Sequence, residues 1–467
     1  MNLGLKMKIA TAVAAAFALC SAPLFAQQKQ APPDGGPPKP FTVPAHESYN
    51  LPNGMKVTLV PYGNLPKVTM SLVVRTGNLN EPSDLPGLAD LVGKLMKEGT
   101  TTKTSKQIAE ESARMGGAVA IGVGPDESDV TADVLSDFGP KAIALIADVA
   151  QHPSFPESEL PRLKNDALRE VTIARSTPQT MALERFRKLL YGDHPYGTVL
   201  ATPESIEKTK LADLQKYYGE NYGAARARLY VAGRFDTAEV KKAIAASFGG
   251  WAKGTPPVNN VPKAKPRREL HLTDRPGAAQ STLLLGMPVP DATSPDAIPL
   301  IVTNAILGGS FGSRITSNIR EQKGYTYSPR SEISRRYHDA YWAESADVTT
   351  QYTGASLKEI FGEIERLAKE PPADSELKGI QSYLSGLFVI QNSSRGALIG
   401  QLRVVDLQGL GEDFLTTYVQ KVNAVTPAQV QKMTAEYIKP DQMTIVVAGD
   451  KAKISEQLAP YTPGAKQ

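Results

Sequence analysis

The chain has 467 residues, a formal net charge of +4 and a single cysteine, Cys20. So small a charge excess lies far from the basic balance of a nucleic-acid binder. One cysteine excludes both a disulfide framework and a thiolate metal site.

In chain order, Lys6 and Lys8 precede an uncharged apolar run, 9–19, which is followed by small residues and by Ala26 before a polar stretch. This layout predicts a signal peptide over 1–26, with an apolar run too short for a comfortable membrane span. Leu24-Phe25-Ala26 is an imperfect cleavage signal, and Leu19 before Cys20 argues against lipidation. Removal of 1–26 takes away two lysines and no acid, lowering the charge from +4 to +2 and leaving no cysteine. No later stretch is long and apolar enough to cross a membrane. The expectation is an exported, periplasmic protein with no membrane span after signal removal.

Residues 27–43, rich in Gln, Pro and Gly, are expected to form a flexible leader. A Pro- and Lys-rich stretch, 254–268, is expected to link a domain over 44–253 to a second over 269–460. Strand patterns at 55–61 and 67–75 are followed by helical patterns at 85–98 and 105–115. Two further strands are expected at 118–124 and 128–135, helices from Pro140 and from Glu157, and a strand at 228–231 leading to a helix after Asp236. The second half repeats this order. It has a strand at 281–285, helices at 297–306 and 312–322, strands at 325–333 and 341–348, long helices after Ala355 and a strand at 443–447. The Gln-Lys pairs at 215 and 431 and the Val-Ala-Gly triplets beginning at 231 and 447 are both offset by 216 positions, which suggests duplication. Clustered strands and helices predict α+β, as two homologous domains, each a mostly antiparallel sheet packed with helices.

The stretch Gly87-Leu88-Ala89-Asp90-Leu91-Val92-Gly93-Lys94-Leu95-Met96-Lys97-Glu98-Gly99-Thr100 resembles the signature helix of the insulinase/pitrilysin family of zinc peptidases, which includes mitochondrial processing peptidase. Active members carry H-x-x-E-H on this helix. Positions i and i+4 share a helical face, so both imidazoles reach one zinc while the Glu activates the bound water. Here the three positions hold Asp90, Gly93 and Lys94. Glycine cannot act as a base, and a lysine ammonium is no ordinary zinc ligand. The five histidines, His46, His152, His194, His271 and His338, include no pair within one helical turn. The family's downstream acidic ligand maps onto Glu170, expected as an ordinary helical Glu. The helix needs no metal to form: Leu88, Leu91, Val92, Leu95 and Met96 make an apolar stripe. Asp90 and Lys94 are expected as a solvated i, i+4 ion pair. A different metal held by Asp90 and Glu170 is the weakest alternative.

Leu51-Pro52-Asn53-Gly54-Met55-Lys56-Val57, Arg75-Thr76-Gly77-Asn78, and His194-Pro195-Tyr196-Gly197 before Pro203-Glu204-Ser205-Ile206 resemble further family segments in the family's order. His194, in a Pro-flanked turn, is expected to be structural. In the second half, Leu307-Gly308-Gly309-Ser310-Phe311-Gly312-Ser313-Arg314 and Asn318-Ile319-Arg320-Glu321-Gln322-Lys323-Gly324-Tyr325-Thr326-Tyr327-Ser328 resemble the family's C-domain segment, a helix, a glycine turn and a strand. An Arg and a Tyr seven residues later recur there, matched by Arg320 and Tyr327. Arg320 is expected near a helix end and Tyr327 on the following strand. In the family this pair helps hold substrate and the developing oxyanion, opposite the zinc site.

The resemblance implies a clam-shell half that encloses peptide substrate and supplies Arg320 and Tyr327 to the active site of an H-x-x-E-H-bearing partner subunit. Zinc is expected in that partner, and no cofactor in this chain. The alternative is a peptide-binding or scaffold protein without a catalytic role.

Overall fold

The structure, a computed structural model, describes residues 42–464 apart from position 412. The expected signal peptide, Cys20 and nearly all of the leader lie outside the described residues.

Strands β1 (Glu47–Asn50), β2 (Lys56–Pro61), β3 (Lys67–Val74), β4 (Val119–Val123), β5 (Ser128–Leu135) and β6 (Ala227–Gly233) form a six-stranded sheet in the order β1-β2-β6-β3-β5-β4. Strands β7 (Glu269–Asp274), β8 (Gln280–Val289), β9 (Arg330–Arg336), β10 (Asp339–Thr349) and β11 (Thr444–Gly449) form a five-stranded sheet in the order β7-β11-β8-β10-β9. Parallel pairing occurs only between β2 and β6 and between β7 and β11; every other neighbouring pair is antiparallel. Without the edge strand β1, the two sheets share one order and one set of directions. Helices Leu211–Asn221 and Pro427–Tyr437, which precede β6 and β11, are also 216 positions apart. The α+β class with two mixed sheets agrees with the sequence reading. The short strands β1 and β7 were not expected: each is an edge strand with few buried residues, so its hydrophobic pattern is weak.

Burial explains the strand patterns. In β5, Ser128, Val130, Ala132 and Val134 are buried and alternate with more exposed residues. In β11 all six residues are buried, a pattern that requires cover on both faces. One face of each sheet packs against helices of its own half. Val57, Leu59, Leu72, Leu229 and Val231 join Leu91 and Leu95 in the first core. Leu283, Leu285, Trp342, Ile445 and Val447 join Ile360 and Ile364 in the second.

The other face of each sheet is covered by a helix from the opposite half. Phe186, Leu190 and Tyr191 of helix Pro178–Tyr191 pack on Leu284, Tyr341 and Val446 of the second sheet. Leu398, Ile399 and Leu402 of helix Arg395–Gln408 pack on Val60, Val73, Tyr230 and Ala232 of the first. Side chains that alternate along a strand therefore enter two different cores. Polar contacts pin both crossings. The Asp406 carboxylate accepts from Lys56 Nζ and Tyr230 Oη, each at 2.6 Å, and Arg403 pairs with Asp129 at 3.1 Å. On the other side Tyr191 Oη donates to Asp339 at 2.5 Å. Between the halves, residues 252–268 form neither helix nor strand. Among the described residues no helix is long and apolar enough to cross a membrane.

The crossings predict unequal costs for truncating apolar side chains on neighbouring helices. Phe186 is fully buried, edge-on to Tyr341 with ring centroids 5.4 Å apart, so Phe186→Ala should cost about 3–5 kcal/mol. Ile173, in helix Leu160–Arg175, is 61% exposed, and Ile173→Ala should change stability by no more than about 0.5 kcal/mol. Urea unfolding midpoints of the two variants check the contrast.

Candidate functional site

The signature helix spans Leu88–Met96, and Leu88, Leu91, Val92, Leu95 and Met96 are all buried in the first core. The helix begins after Gly87, whose φ of +90° favours glycine, and it has no capping side chain of its own. A helix start leaves backbone N–H groups without partners. Glu81 supplies them: its carboxylate accepts from Gly87 N at 3.0 Å and Ala89 N at 2.8 Å. Asn78 Nδ2 donates to Glu81 Oε1 at 3.0 Å and to Asp90 Oδ2 at 2.9 Å, joining the two acids. Removal from water is the largest influence on Glu81 and pushes its pKa up to about 7, against the pull of these three donors. Burial by the surrounding walls also raises the Asp90 pKa, opposed by Asn78 and Lys94.

The expected Asp90–Lys94 pair is replaced. Lys94 Nζ contacts Glu170 Oε2 at 2.5 Å, across to helix Leu160–Arg175, while Asp90 is engaged by Asn78. The reason is tertiary. A carboxylate on the adjacent helix stands within reach of the ammonium, and spacing along one helix cannot show it. Glu170 is otherwise the exposed helical Glu that was expected.

Gly93 points inward. A Cβ there would lie 2.7 Å from Val123 Cγ2 on β4. These positions do not fit zinc: Gly93 offers no side chain, Asp90 is engaged by Asn78, and the Lys94 ammonium sits on Glu170. Among the described residues no group of three or more His, Cys, Asp and Glu side chains could hold a metal ion. His194 holds its own turn. Its Nδ1 accepts from Tyr196 N at 3.2 Å, which makes Nε2 the donor to Asn260 O at 3.3 Å.

Asp90, Lys94 and Glu170 line a cleft of about 830 Å³. Arg187, from helix Pro178–Tyr191, and Arg336, from the end of β9 in the second half of the chain, also line it. Glu81, Asn78, Arg187 and Arg336 were not singled out from the sequence. Glu81 follows Asn80 in a loop with no helical period to mark it, and Arg336 arrives from a hairpin more than two hundred positions away.

In the second half, helix Ala297–Asn304 continues as the wide-turn π-helix Ala305–Gly309. Gly308 comes so close to the sheet that a Cβ would lie 2.5 Å from Ser331 Oγ. Arg314 then grips Glu376 through two hydrogen bonds of 2.8 Å, which anchors a second π-helix, Thr316–Gln322, carrying Arg320. Such helices are frequent at functional sites. Lys323 ends it and Gly324, at φ +65°, turns the chain. Tyr327 is not on a strand as expected, because β9 begins only at Arg330. Thr326 meets β10 through a single bridge to Val348, and the chain then bends away, leaving Tyr327 78% exposed. The Arg320 guanidinium lies 4.4 Å from the Phe311 ring centroid and 4.9 Å from that of Tyr327. Phe311 is itself 71% exposed. The helix and turn thus bring together the two residues that the spacing singled out, on the surface.

Two outcomes follow for the signature helix. Gly93→Ala gains about 0.5–1 kcal/mol of helix preference, but crowding the stiff Val123 side chain costs about 1–3 kcal/mol. The variant should be destabilised by about 1 kcal/mol, and Val123→Ala in the same chain should cancel that added cost, as thermal unfolding of the set will read. For Glu81, the folded pKa near 7 stands above the ordinary 4.5. Between these values the unfolded chain loses this proton and the folded chain keeps it. The group's contribution therefore falls as pH rises through that window, by up to about 1.4 kcal/mol per pH unit, and is level above it. Denaturant titrations from pH 4 to 8 should show this slope in the native chain and lose it in Glu81→Gln.

Comparison with known proteins gives this geometry its context. Residues 57–204 match the family model described as Insulinase (Peptidase family M16), and residues 208–384 match that described as Peptidase M16 inactive domain. Among curated relatives, the uncharacterized zinc protease YmxG of Bacillus subtilis is 25% identical, over 86% of this chain and 97% of its own. An uncharacterized zinc protease of Rickettsia bellii is 28% identical, over 69% of this chain and 79% of its own. Among solved structures, a peptidase M16 inactive domain from Pseudomonas fluorescens superposes with a TM-score of 0.80 at 25% identity, covering 86% of this chain and 98% of its own. A protease from Helicobacter pylori shares the fold, with a TM-score of 0.80 at 21% identity over 87% of this chain and all of its own. Consecutive matches to two models of one family, together with a shared two-sheet fold, lead to one conclusion: the chain belongs to the insulinase family, peptidase family M16, as an M16-like peptidase homologue whose signature helix lacks the H-x-x-E-H residues.

Proposed function

We propose that this chain is the non-catalytic subunit of a periplasmic, heterodimeric zinc metallopeptidase. It helps enclose peptide substrate and supplies Arg320 and Tyr327 to the active site of a partner that carries H-x-x-E-H and the zinc. The observation that supports this reading most directly is the exposed stack of Phe311, Arg320 and Tyr327. Arg and Tyr are over-represented among residues that dominate protein interfaces, and two large aromatic rings left in water beside one guanidinium form a surface suited to being covered. The chemistry is compatible. A guanidinium and a phenol each donate hydrogen bonds, and a peptide carbonyl oxygen gains negative charge as it is attacked. The rings, and Glu321, which pairs with Arg320 Nε at 3.0 Å, hold the guanidinium in place before any substrate arrives, so little ordering is left to do at that moment. The signature helix supports the same division of labour, because its three functional positions are occupied by an acid bound to Asn78, a buried glycine and a lysine bound to Glu170.

The test is reconstitution with an H-x-x-E-H-bearing relative from the same organism. Arg320→Ala or Tyr327→Phe in this chain should lower kcat of the pair by about a hundredfold, the scale seen when one donor to an oxyanion is removed, while the complex still assembles. The purified single chain should cleave no peptide in a chelator-sensitive way. Chelator-sensitive cleavage by the single chain would defeat the proposal, and a pair indifferent to both substitutions would leave a scaffold role instead.

A further inference from the structure

We propose that the cleft beside the degenerate zinc helix is a binding site for a peptide carboxylate, held by Arg187 and Arg336. The proposal concerns the single chain and does not depend on a partner subunit.

The charges around the cleft are mostly settled within the protein. Lys94 is taken by Glu170 at 2.5 Å and Lys188 by Asp193 at 2.8 Å. Asp90 is bound by Asn78. Arg187 and Arg336 are less fully matched: Arg336 stands across the hairpin from Asp339, whose burial-raised pKa its charge opposes. Arg187 Nε is shut off from water without an acceptor, and neither guanidinium forms an ion pair among the described residues. Arg336 donates only to the backbone oxygen of Arg335, at 2.8 Å. With Nε closed to solvent, an anion entering the cleft would meet Arg187 through its terminal nitrogens, and the Arg336 guanidinium also lines the space; guanidinium groups are the side chains best shaped to grip a carboxylate with paired hydrogen bonds.

The size of the space favours a peptide over a lone ion. About 830 Å³ lies within the range of sites for drug-sized ligands. Apolar side chains including Leu91, Val171, Leu200 and Ile206 line it alongside the charges, offering cover for side chains that precede the carboxylate. Arg187 and Arg336 come from opposite halves of the chain, on elements that are fixed in place. Phe186 and Leu190, flanking Arg187, are buried against the second sheet. The hairpin that begins at Arg336 is held by Gln408 Nε2, which donates to Arg336 O at 2.9 Å, and by Asp126 Oδ2, which accepts from Tyr337 N at 3.3 Å.

Isothermal titration calorimetry of the purified single chain tests the site with three probes. These are N-acetyl tetra-alanine with a free C-terminal carboxylate, the same peptide as its C-terminal amide, and an amidated N-acetyl-Ala-Glu-Ala-Ala. Either acid-bearing peptide should bind at least about tenfold more tightly than the neutral amide. The first against the third tells a chain terminus from an acidic side chain. The preference should disappear in R187Q/R336Q. If that double variant does not fold, R187K and R336K, which keep the charge but lose the paired geometry, should each weaken the preference. Equal affinity for acid and amide, no heat from any probe at millimolar concentration, or a preference that survives these substitutions would overturn the proposal. All three readouts come without a partner or peptidase activity, so failure here is distinguishable from failure of the heterodimer reading.

Discussion

Everything in this molecule rests on an exchange of cover between its two halves. Each sheet turns one face to its own helices and leaves the other to helices sent across from the opposite half. Helix Pro178–Tyr191 lies on the second sheet and helix Arg395–Gln408 on the first. Without that exchange, Val60, Tyr230 and Ala232 on one side and Leu284, Tyr341 and Val446 on the other would face water. Apolar burial is the largest favourable contribution to folding, so neither half is built to stand alone. The crossing also carries Arg187 into the cleft and fixes where Arg336 arrives. The site is therefore a by-product of the same packing that holds the halves together.

Two regions treat polar groups in opposite ways. Around the signature helix, hydrogen bonds are closed locally: Glu81 serves the helix start, Asn78 links Glu81 to Asp90, and Lys94 finds Glu170. A half-buried acid is tolerable when donors surround it, and Glu81 has three. In the second half the emphasis is reversed. Arg314 is fixed by Glu376, and Asn318 donates to Glu359 and Glu363, yet Phe311 and Tyr327 remain largely in solvent. The underside of that segment is firmly anchored while its outer face is left open.

The α+β class, the order of most strands and the missing zinc ligands were legible because they depend on short-range patterns. The alternation in β5 and the stripe on helix Leu88–Met96 speak for themselves. The 216-position offset between matching segments was visible for the same reason, since both copies kept the Val-Ala-Gly end of a doubly covered strand. What escaped was what folding brings from a distance. Lys94 has a carboxylate four residues before it and chooses one on another helix. Tyr327 has strand-like neighbours, but it is Tyr325 and Thr326 before it that reach β10, at Thr349 and Val348. Edge strands β1 and β7 pair on one side only and bury little, so they leave a faint trace. Of the residues lining the cleft, Asp90, Lys94 and Glu170 could be found from the signature segment and the resemblance it carries, and Arg187 and Arg336 could not.

The inward placement of Gly93 makes the loss of the zinc helix hard to reverse. The space that a side chain at this position would need is occupied by Val123 of β4. A glutamate restored there meets that methyl group before it meets any ligand, and histidines at 90 and 94 would have to displace the partners now bound to Asn78 and Glu170. No single change along that path is an improvement, because each breaks a contact before the others can repay it. The neighbouring strand thus works as a latch: with Val123 seated against Gly93, a metal site here is a change that several simultaneous substitutions must make together.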